Sequence, residues 1–599
     1  MKVVDAIAKF LEEKGVEKVF SVTGGASALI NDAFLRNGNL ELVYAHNESS
    51  CSFMAEGYFR ISGKPAVCLV TVGPGATNLI TGVYGCWTDS IPTLVISGQS
   101  FLDQTVGSSE LRQLGTQEAA IIPIVKNFTK SAFTLERPEE VFEVLEKSWL
   151  AMVEPRKGPT WLEIPADIQN RDVTVQSIEN KPLKEVTFSK DTVAFCEEYL
   201  RVLMKSRFPV LHVGGGVRNS DSKDSILKVI SKLGIPVLLT HSSYDLLATT
   251  DPSNFGFPGI FGHRYANLII QQSDCYLALG TRLTLAQTGY RKKTFAPKAV
   301  TFMVDIDEPE LKKEHLRIDF SLAKDVAEVA RCLDYLISSK QSNYEMQKFE
   351  LWHKACDVLR SKFDINNEHS NFTNSGVSPY NLIREVSKFL TPSDTVVTDM
   401  GTSYQSTYQA IRIPKGCKLL TNTGFASMGW GLPAAIGAWH YKNNRVICIT
   451  GDGGLMMSLQ ELASVPQEAD ISIWLYNNEG YLTQLQTQLS TFGRKTGVDR
   501  ESGLRFPNYA ELARSFGLFY IEITKNNFNS HEIKNIMQDS RPRLINVLMS
   551  LSQEQAPKLV NKKLEDGSTR QSELDDMWPF LPKSAEEIWQ DVFKELGKT

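Results

Sequence analysis

Nowhere in its 599 residues does the sequence hold an apolar run approaching the roughly 18 residues of a spanning helix, which excludes a helical membrane protein. Paired cysteines are missing too. The nine cysteines are scattered singly with no CxxC, which suits reduced thiols in the cytoplasm better than a disulfide framework or a zinc centre. An excess of one charge is equally scarce: a formal net charge of -5 is small for this length and gives no sign of a nucleic-acid surface. With 42% hydrophobic and 22% charged residues, the composition is close to the globular average and does not favour disorder. The length exceeds what one core supports and implies three or four domains. Met1 to Phe20 reads as an amphipathic helix, with Val4, Ile7, Phe10 and Leu11 at helical spacing, and no signal peptide is expected before it. Cys51, Cys68, Cys86 and Cys448 sit among apolar or small residues and are expected to pack as small hydrophobes.

What the chain does contain is one layout used three times. Pro65 to Gly75 reads PAVCLVTVGPG, a short β-rich run closed by a glycine turn, and Arg445 to Gly454 reads RVICITGDGG. Each continues into a helical stretch and a second β-rich run, TLVISG at Thr93 and ISIWLYNN at Ile471. The third instance, PVLHVGGGV at Pro209, is followed by IPVLLT at Ile235. Strands alternating with helices, with glycines at the strand ends, predict an α/β protein of three doubly wound parallel-sheet domains whose ligands bind at those ends. The polar stretches Arg171 to Asp191 and Asp364 to Ser378 read as joints, giving domains at 1–172, 190–338 and 376–550 and a tail at 551–599.

The most specific signal is Gly451-Asp452-Gly453 followed, after residues 454–476, by Asn477-Asn478. A lone GDG often marks only a turn. Here the triplet closes one strand and the Asn pair closes the next, so Asp452 and Asn478 are expected side by side on one sheet edge. In this pattern the sequence resembles the thiamine diphosphate enzymes, and over nearly its whole length, Val3 to about Met549, the acetolactate synthases.

The resemblance implies a pyrimidine-binding first domain, a central nucleotide-binding domain and a diphosphate-binding third domain. It implies Mg²⁺ held by the Asp452 carboxylate, the Asn478 side-chain carbonyl and the Gly480 backbone carbonyl, hard oxygens of the kind Mg²⁺ takes alongside phosphates. Gly451, Gly453 and Gly454 would let the backbone approach the diphosphate, with Tyr481 and Ser427 beside it. Glu48, in AHNESSCSFMAEGY, matches the glutamate that hydrogen-bonds the cofactor's pyrimidine ring, with Phe53, Gly57 and Tyr58 at matching offsets. Glu56 reads only as a solvated surface residue. Met428, in GFASMGWGLP, matches the wedge between the cofactor rings, and Gly24, Gly25 and Asn78 match further cofactor contacts, while Gln117 and Lys130 also align.

In the middle domain Gly214, Gly215, Gly216, Gly280, Arg282, Asp305 and Asp325 resemble FAD-binding segments, Arg282 contacting the flavin and an acidic residue the adenosine part. Two positions depart from the synthases. Ala286 stands where they carry an Arg for the acceptor's carboxylate, and Thr487 where they carry a pocket-filling Trp. The region before Gln117 is also shorter and lacks a Phe. The implied reaction is decarboxylation of pyruvate or a similar 2-ketoacid and transfer of the two-carbon unit to a carbonyl acceptor. The acceptor is expected to be larger than a ketoacid, as in the branch that attaches such units to nucleotide-linked keto-sugars, yersiniose-type precursors among them. The tail segment DGSTRQSELDDMWPFLP resembles those polysaccharide-pathway relatives. In this family Glu48 and the Mg²⁺ residues come from different chains, which implies a homodimer or dimer of dimers. Alternatives are a true acetolactate synthase, a simple 2-ketoacid decarboxylase and a non-catalytic nucleotide-binding protein.

Overall fold

The computed structural model describes residues 1–174, 188–220, 222–339, 346–369, 375–563, 566 and 568–597. It divides into two compact units. The first comprises 1–183, 393–404 and 418–551, and the second 184–392, 405–417 and 552–599. Much of the expected joint at Arg171 to Asp191, and part of that at Asp364 to Ser378, lie outside the described residues. No described helix is long and apolar enough to cross a membrane.

The first unit holds two six-stranded parallel sheets. One consists of β1 (Lys18–Ser21), β2 (Glu41–Tyr44), β3 (Ala66–Val70), β4 (Thr93–Gln99), β5 (Ala132–Thr134) and β6 (Thr160–Pro165), in the order β2-β1-β3-β4-β6-β5. The second unit holds the five-stranded sheet of β7 (Pro209–Val213), β8 (Val237–Leu239), β9 (Cys275–Leu279), β10 (Val300–Asp305) and β11 (Phe320–Ala323), in the order β11-β10-β9-β7-β8. The other six-stranded sheet of the first unit is built from β12 (Thr395–Thr398), β13 (Lys418–Leu420), β14 (Val446–Gly451), β15 (Ile471–Asn477), β16 (Phe519–Ile523) and β17 (Arg543–Leu548). Its order, β13-β12-β14-β15-β17-β16, repeats that of the first sheet. The three doubly wound parallel sheets are therefore present, and each reverses its strand order at one point where two neighbouring strand ends leave a crevice.

Strand composition explains the arrangement. The five residues of β3, AVCLV, are buried, and all seven of β15, ISIWLYN, as a parallel strand covered on both faces requires. All nine cysteines are free and buried, Cys68 and Cys448 within β3 and β14. The opening helix is shorter than its periodicity suggests. It runs Val3–Glu13 and buries Val4, Ile7, Phe10 and Leu11, then stops because Gly15 adopts a left-handed φ of 75°. Residues 18–21 form β1 instead of continuing it.

Two helices of the first unit cross at backbone contact. Helix Glu48–Ser62 starts from Asn47, whose side chain accepts the Ser49 N–H, and lies on helix Gly431–Lys442. A Cβ on Gly57 would sit 2.2 Å from the Ala434 carbonyl oxygen, and one on Gly437 2.0 Å from that of Met54. The same crossing corrects the reading of Glu56, which is 1% exposed. Its carboxylate accepts from Arg60 at 2.6 Å and from Trp430 Nε1 at 2.7 Å. Arg60 of its own helix and Trp430 at the head of the neighbouring one, not solvent, satisfy it.

The tail packs within the second unit. Helix Ala585–Glu595 sets Trp589 against Trp352 with ring centroids 5.0 Å apart, while Arg264 donates to the carbonyls of Met577 and Pro579, each at 2.9 Å.

Candidate active site

The residues expected to hold a metal and a diphosphate gather where β14 and β15 end. These strands pair in parallel with Gly451 opposite Tyr476, so Asp452 and Asn478 leave the sheet together. Asp452 is 2% exposed. Its Oδ2 accepts the backbone N–H groups of Asn478 at 3.1 Å and Gly480 at 3.2 Å, and its Oδ1 accepts that of Gly453 at 2.7 Å. Burial pushes the carboxyl up to about 7, against the backbone N–H groups of Gly453, Gly480, Asn478 and Glu479, which lower it. The Asn478 side-chain oxygen Oδ1 accepts the Gly480 N–H at 3.1 Å, which turns it toward the same loop. Gly453 packs under Tyr481, whose ring a Cβ there would meet at 2.0 Å. Its glycine is therefore demanded by Tyr481 and its N–H is taken by Asp452, whereas Gly451 has open space in front of it.

An ionised carboxylate offers about four lone-pair sites. A cation bound beside Asp452 would reverse the cost of burying it. Among the described residues no cluster of three or more His, Cys, Asp or Glu forms a metal cage. One carboxylate beside one amide oxygen is the set Mg²⁺ uses when phosphates supply the rest. The residues present fit Mg²⁺ on a diphosphate.

The loop 421–429 lies beside this group. A Cβ on Gly429 would meet Met457 Cβ at 2.8 Å and the Gly454 carbonyl at 3.4 Å. Met428 is 36% exposed, as a side chain offered to a ligand would be. Asn422 is 1% exposed, yet neither its amide nitrogen nor its oxygen has a partner, and the hydroxyls of Thr421 and Ser427 are likewise buried and unpaired. Buried polar groups are almost always hydrogen-bonded. Three orphans on one loop fit a polar ligand there, and only Ser427 was anticipated from sequence.

Asp399 was also missed, although its place directly after β12 was a readable strand-end signal. It is 1% exposed and accepts the Gly429 N–H at 3.1 Å and the Thr450 hydroxyl at 3.1 Å. It therefore ties the Met428 loop to the end of β14. Burial pushes its carboxyl up to about 6, against hydrogen bonds that lower it.

The second group sits at the reversal point of the first sheet. Glu48, half-buried at the start of its helix, accepts from Asn78 Nδ2 at 3.0 Å. Gly75 lies beside it, and Gly24 packs against Thr71 on the neighbouring strand end, with Gly25 exposed. Glu461, fully buried, accepts the N–H groups of His46 at 3.2 Å and Asn47 at 3.0 Å and so anchors the segment leading into Glu48. Nothing in the sequence singles out Glu461. Gln117 is exposed with a φ of 60°, and its carbonyl packs over Gly73. Lys130 is spent on the Glu154 carbonyl at 2.9 Å. Thr487 is exposed and its hydroxyl bonds back to Thr483 at 2.9 Å.

In the second unit the strand ends gather most of the nucleotide set. A Cβ on Gly214 would lie 2.2 Å from the Gly280 carbonyl, and Gly216 N–H donates to that carbonyl at 2.9 Å, while Gly215 follows on the same turn. Asp305 ends β10 and Asp325 follows β11, on the same sheet edge. Asp305 accepts the Asp307 N–H at 3.0 Å and Asp325 that of Ala327 at 2.7 Å. Arg282, half-buried, gives its carbonyl to Lys313. Ala286 lies in the short helix Leu285–Thr288 and accepts Ile260 N–H at 2.8 Å.

Comparison with known proteins decides the family. The models of the thiamine pyrophosphate enzymes match three times: the N-terminal TPP binding domain over residues 1–121, the central domain over 196–333 and the C-terminal TPP binding domain over 399–547. The large subunit of acetolactate synthase isozyme 1 of Escherichia coli is 30% identical over 92% of this chain and 94% of its own length. The chain belongs to the acetolactate-synthase-like thiamine diphosphate enzymes. Further relatives are the isozyme 2 large subunit of Escherichia coli, 29% identical over 96% of each chain, and chloroplastic acetolactate synthase 2 of Nicotiana tabacum, 29% identical over 91% of this chain and 82% of its own. Membership makes the chain a thiamine diphosphate-dependent enzyme and leaves the non-catalytic alternative without support. The central match coincides with the sheet that carries Gly214, Gly280 and Asp305.

Asp399 supplies a pH test of how this enzyme holds its loop. A carboxyl whose folded value, about 6, lies above its ordinary 3.8 binds more protons folded than unfolded between those values. Its contribution therefore favours the fold most below about pH 4 and declines as pH rises through 6. Replacing Asp399 by Ala should remove that slope, so the difference in Tm between the wild type and the variant should shrink from pH 4 to pH 6.5. A difference independent of pH would show that the carboxyl titrates normally.

Proposed function

We propose that the enzyme decarboxylates pyruvate or a similar 2-ketoacid and transfers the two-carbon unit to a carbonyl acceptor that is bulkier than a second ketoacid and lacks its carboxylate. A nucleotide-linked keto-sugar is the class we favour. The observation that carries the first half is the buried Asp452 carboxylate, bonded to the Asn478 and Gly480 amides beside three unpaired polar side chains of the 421–429 loop. Thiamine diphosphate, when bound, supplies a centre that accepts the electron pair released as a bond next to a carbonyl breaks. The chain supplies the rest. Asp452, Asn478 and Gly480 would hold Mg²⁺, and Gly451, Gly454 and Ser427 would face the phosphates. Glu48, kept in place by Asn78 and the Glu461-anchored segment, would hold a proton against the pyrimidine ring nitrogen. Met428 would keep the cofactor bent, and Gln117 would face the reacting groups. Gly214, Gly215, Gly216, Gly280, Arg282, Asp305 and Asp325 would hold FAD in a structural role, since no redox step is needed.

Support for the acceptor comes from what is absent. An Arg–carboxylate contact is a charge-assisted interaction worth roughly 1.5–3 kcal/mol, and Ala286 cannot make it. Thr487 has a hydroxyl that is spent on its own helix and fills little space. The names of the relatives favour a second reading, acetolactate synthesis from two ketoacids, and product analysis separates the two. A homodimer or dimer of dimers completes the proposal.

Glu48→Gln should retain thiamine diphosphate but lose about 10²- to 10⁴-fold in turnover, the range for a positioned acid–base group, whereas Asp452→Ala should lose about tenfold or more in cofactor affinity with the metal. Calorimetric titration with the cofactor and a carbon dioxide release assay read the two effects, and a fully active Glu48→Gln would remove that residue from the chemistry. Denatured protein should release FAD on chromatography. Recovery of another adenine nucleotide, or of none, would overturn the flavin assignment alone. Incubated with pyruvate, the enzyme should form little acetolactate and consume pyruvate much faster once a bulky keto compound is added. Efficient acetolactate formation without such stimulation would return it to the ordinary synthases.

A further inference from the structure

The second unit contains a cavity of about 340 Å³, the size of a small-molecule site, lined in part by Arg360, Arg384 and Arg412. Two of these arginines share one carboxylate. Arg412 Nη2 donates to Asp364 Oδ2 at 2.8 Å and Arg384 Nη2 to Asp364 Oδ1 at 3.4 Å. A guanidinium carries five N–H donors, and neither side chain makes another hydrogen bond among the described residues. Two positive charges therefore face one negative charge. Arg384 is largely buried, its side chain 19% exposed, and burial lowers its pKa, with Asp364 opposing and Arg412 adding to the shift. Arg360 is already committed, to Asp357 at 2.5 Å and to the Asn254 carbonyl at 2.8 Å, and leaves the local surplus unchanged.

Two phenols line the same cavity. Tyr244 and Tyr265 are 3% and 8% exposed, and neither hydroxyl has a hydrogen-bond partner among the described residues. Burial raises the pKa of both, against the neighbouring Arg412, so each remains a donor at neutral pH. Between them lies the His263 ring, stacked on Tyr265 at 4.9 Å and facing Tyr244 at 6.4 Å. His263 is neutral, since burial pushes it down to about 4, and its nitrogens are engaged with Gln409 and Phe257. Tyrosine hydroxyls that open on the cavity and guanidinium groups with free donors beside them form a complementary set for oxyanions. The donors outnumber the acceptors, and the single acceptor carboxylate is shared.

We propose that this cavity binds a small anionic metabolite through its phosphate or carboxylate group, held by Arg384, Arg412 and the hydroxyls of Tyr244 and Tyr265. The site is built from the second unit alone and does not depend on the reaction proposed above. Asp364 competes with the ligand for both arginines, so affinity is set below what the arginines alone would give.

The test uses the full chain saturated with thiamine diphosphate, titrated calorimetrically with inorganic phosphate and, separately, with succinate in chloride buffer. At least one probe should bind saturably at one per chain, and the one that binds tighter identifies the oxyanion. Arg412→Gln and Arg384→Gln should each weaken binding about tenfold or more, the expected loss for a hydrogen bond to a charged group. Tyr265→Phe, which keeps the ring and removes only the donor, should weaken it several-fold. Asp364→Asn should tighten it, the opposite sign. Thermal melts confirm folding, and should Arg384→Gln fail to fold, the exposed Arg412 and the Tyr265→Phe pair still decide. Absence of saturable binding by either probe, or equal affinity in wild type, Arg412→Gln and Tyr265→Phe, would overturn the site.

Discussion

The contact on which the first unit depends is the crossing of helix Glu48–Ser62 with helix Gly431–Lys442, made at Gly57 and Gly437. Both positions face a carbonyl at about 2 Å from where a Cβ would stand, so no other residue permits this approach. Closeness has consequences at both ends. It buries the triad of Glu56, Arg60 and Asp89, in which Arg60 donates to each carboxylate at 2.6 Å. Breaking such a pair would leave a buried charge uncompensated, which gives the crossing its register as well as its contact area. Glu48 opens the first helix and the Met428–Gly429 turn enters the second, so the same contact sets where both candidate cofactor residues stand.

A second constraint recurs in all three sheets. At each reversal of strand order two strand ends face one another closely: Gly24 against Thr71, Gly214 against Gly280, and Asp399 against Thr450. The crevice that remains beside such a pair is where a doubly wound sheet binds ligands. Only the third pair carries an ionisable group, and it is the one next to the Asp452 centre. The first sheet supplies Glu48 at its crevice. The chemistry thus differs while the scaffold repeats.

Elements that the family reaction does not require are also informative. The tail gives its main-chain carbonyls to Arg264 and Asn267, which fastens it to the second unit. The paired arginines at Asp364 and the unpaired phenols opposite them belong to no contact that packing alone demands. Their convergence on one cavity gives an oxyanion donors that the protein itself leaves unused.

Local pattern alone determined the three α/β sheets, the buried strands, the packed cysteines and the adjacency of Asp452 to Asn478. Each depends on periodicity and on two strands being neighbours, which spacing encodes. The glycine at 453 was legible as a motif, but its cause, the Tyr481 ring, was not. Glu56 shows the limit most clearly. Its own neighbours in sequence read as a surface helix, and only a Trp nearly four hundred residues away makes it a core residue. Asn422 and Glu461 were invisible for the same reason: what marks them is burial beside partners, or the lack of a partner, and burial is set by tertiary contacts, whereas Asp399 stood at a readable strand end but its burial did not show. The sequence likewise ended the first helix too late, since a left-handed Gly15 outweighs a continuing apolar period. Residue types and spacings determined which chemistry is available; three-dimensional packing decided which side chains are held, shielded or left open to carry it out.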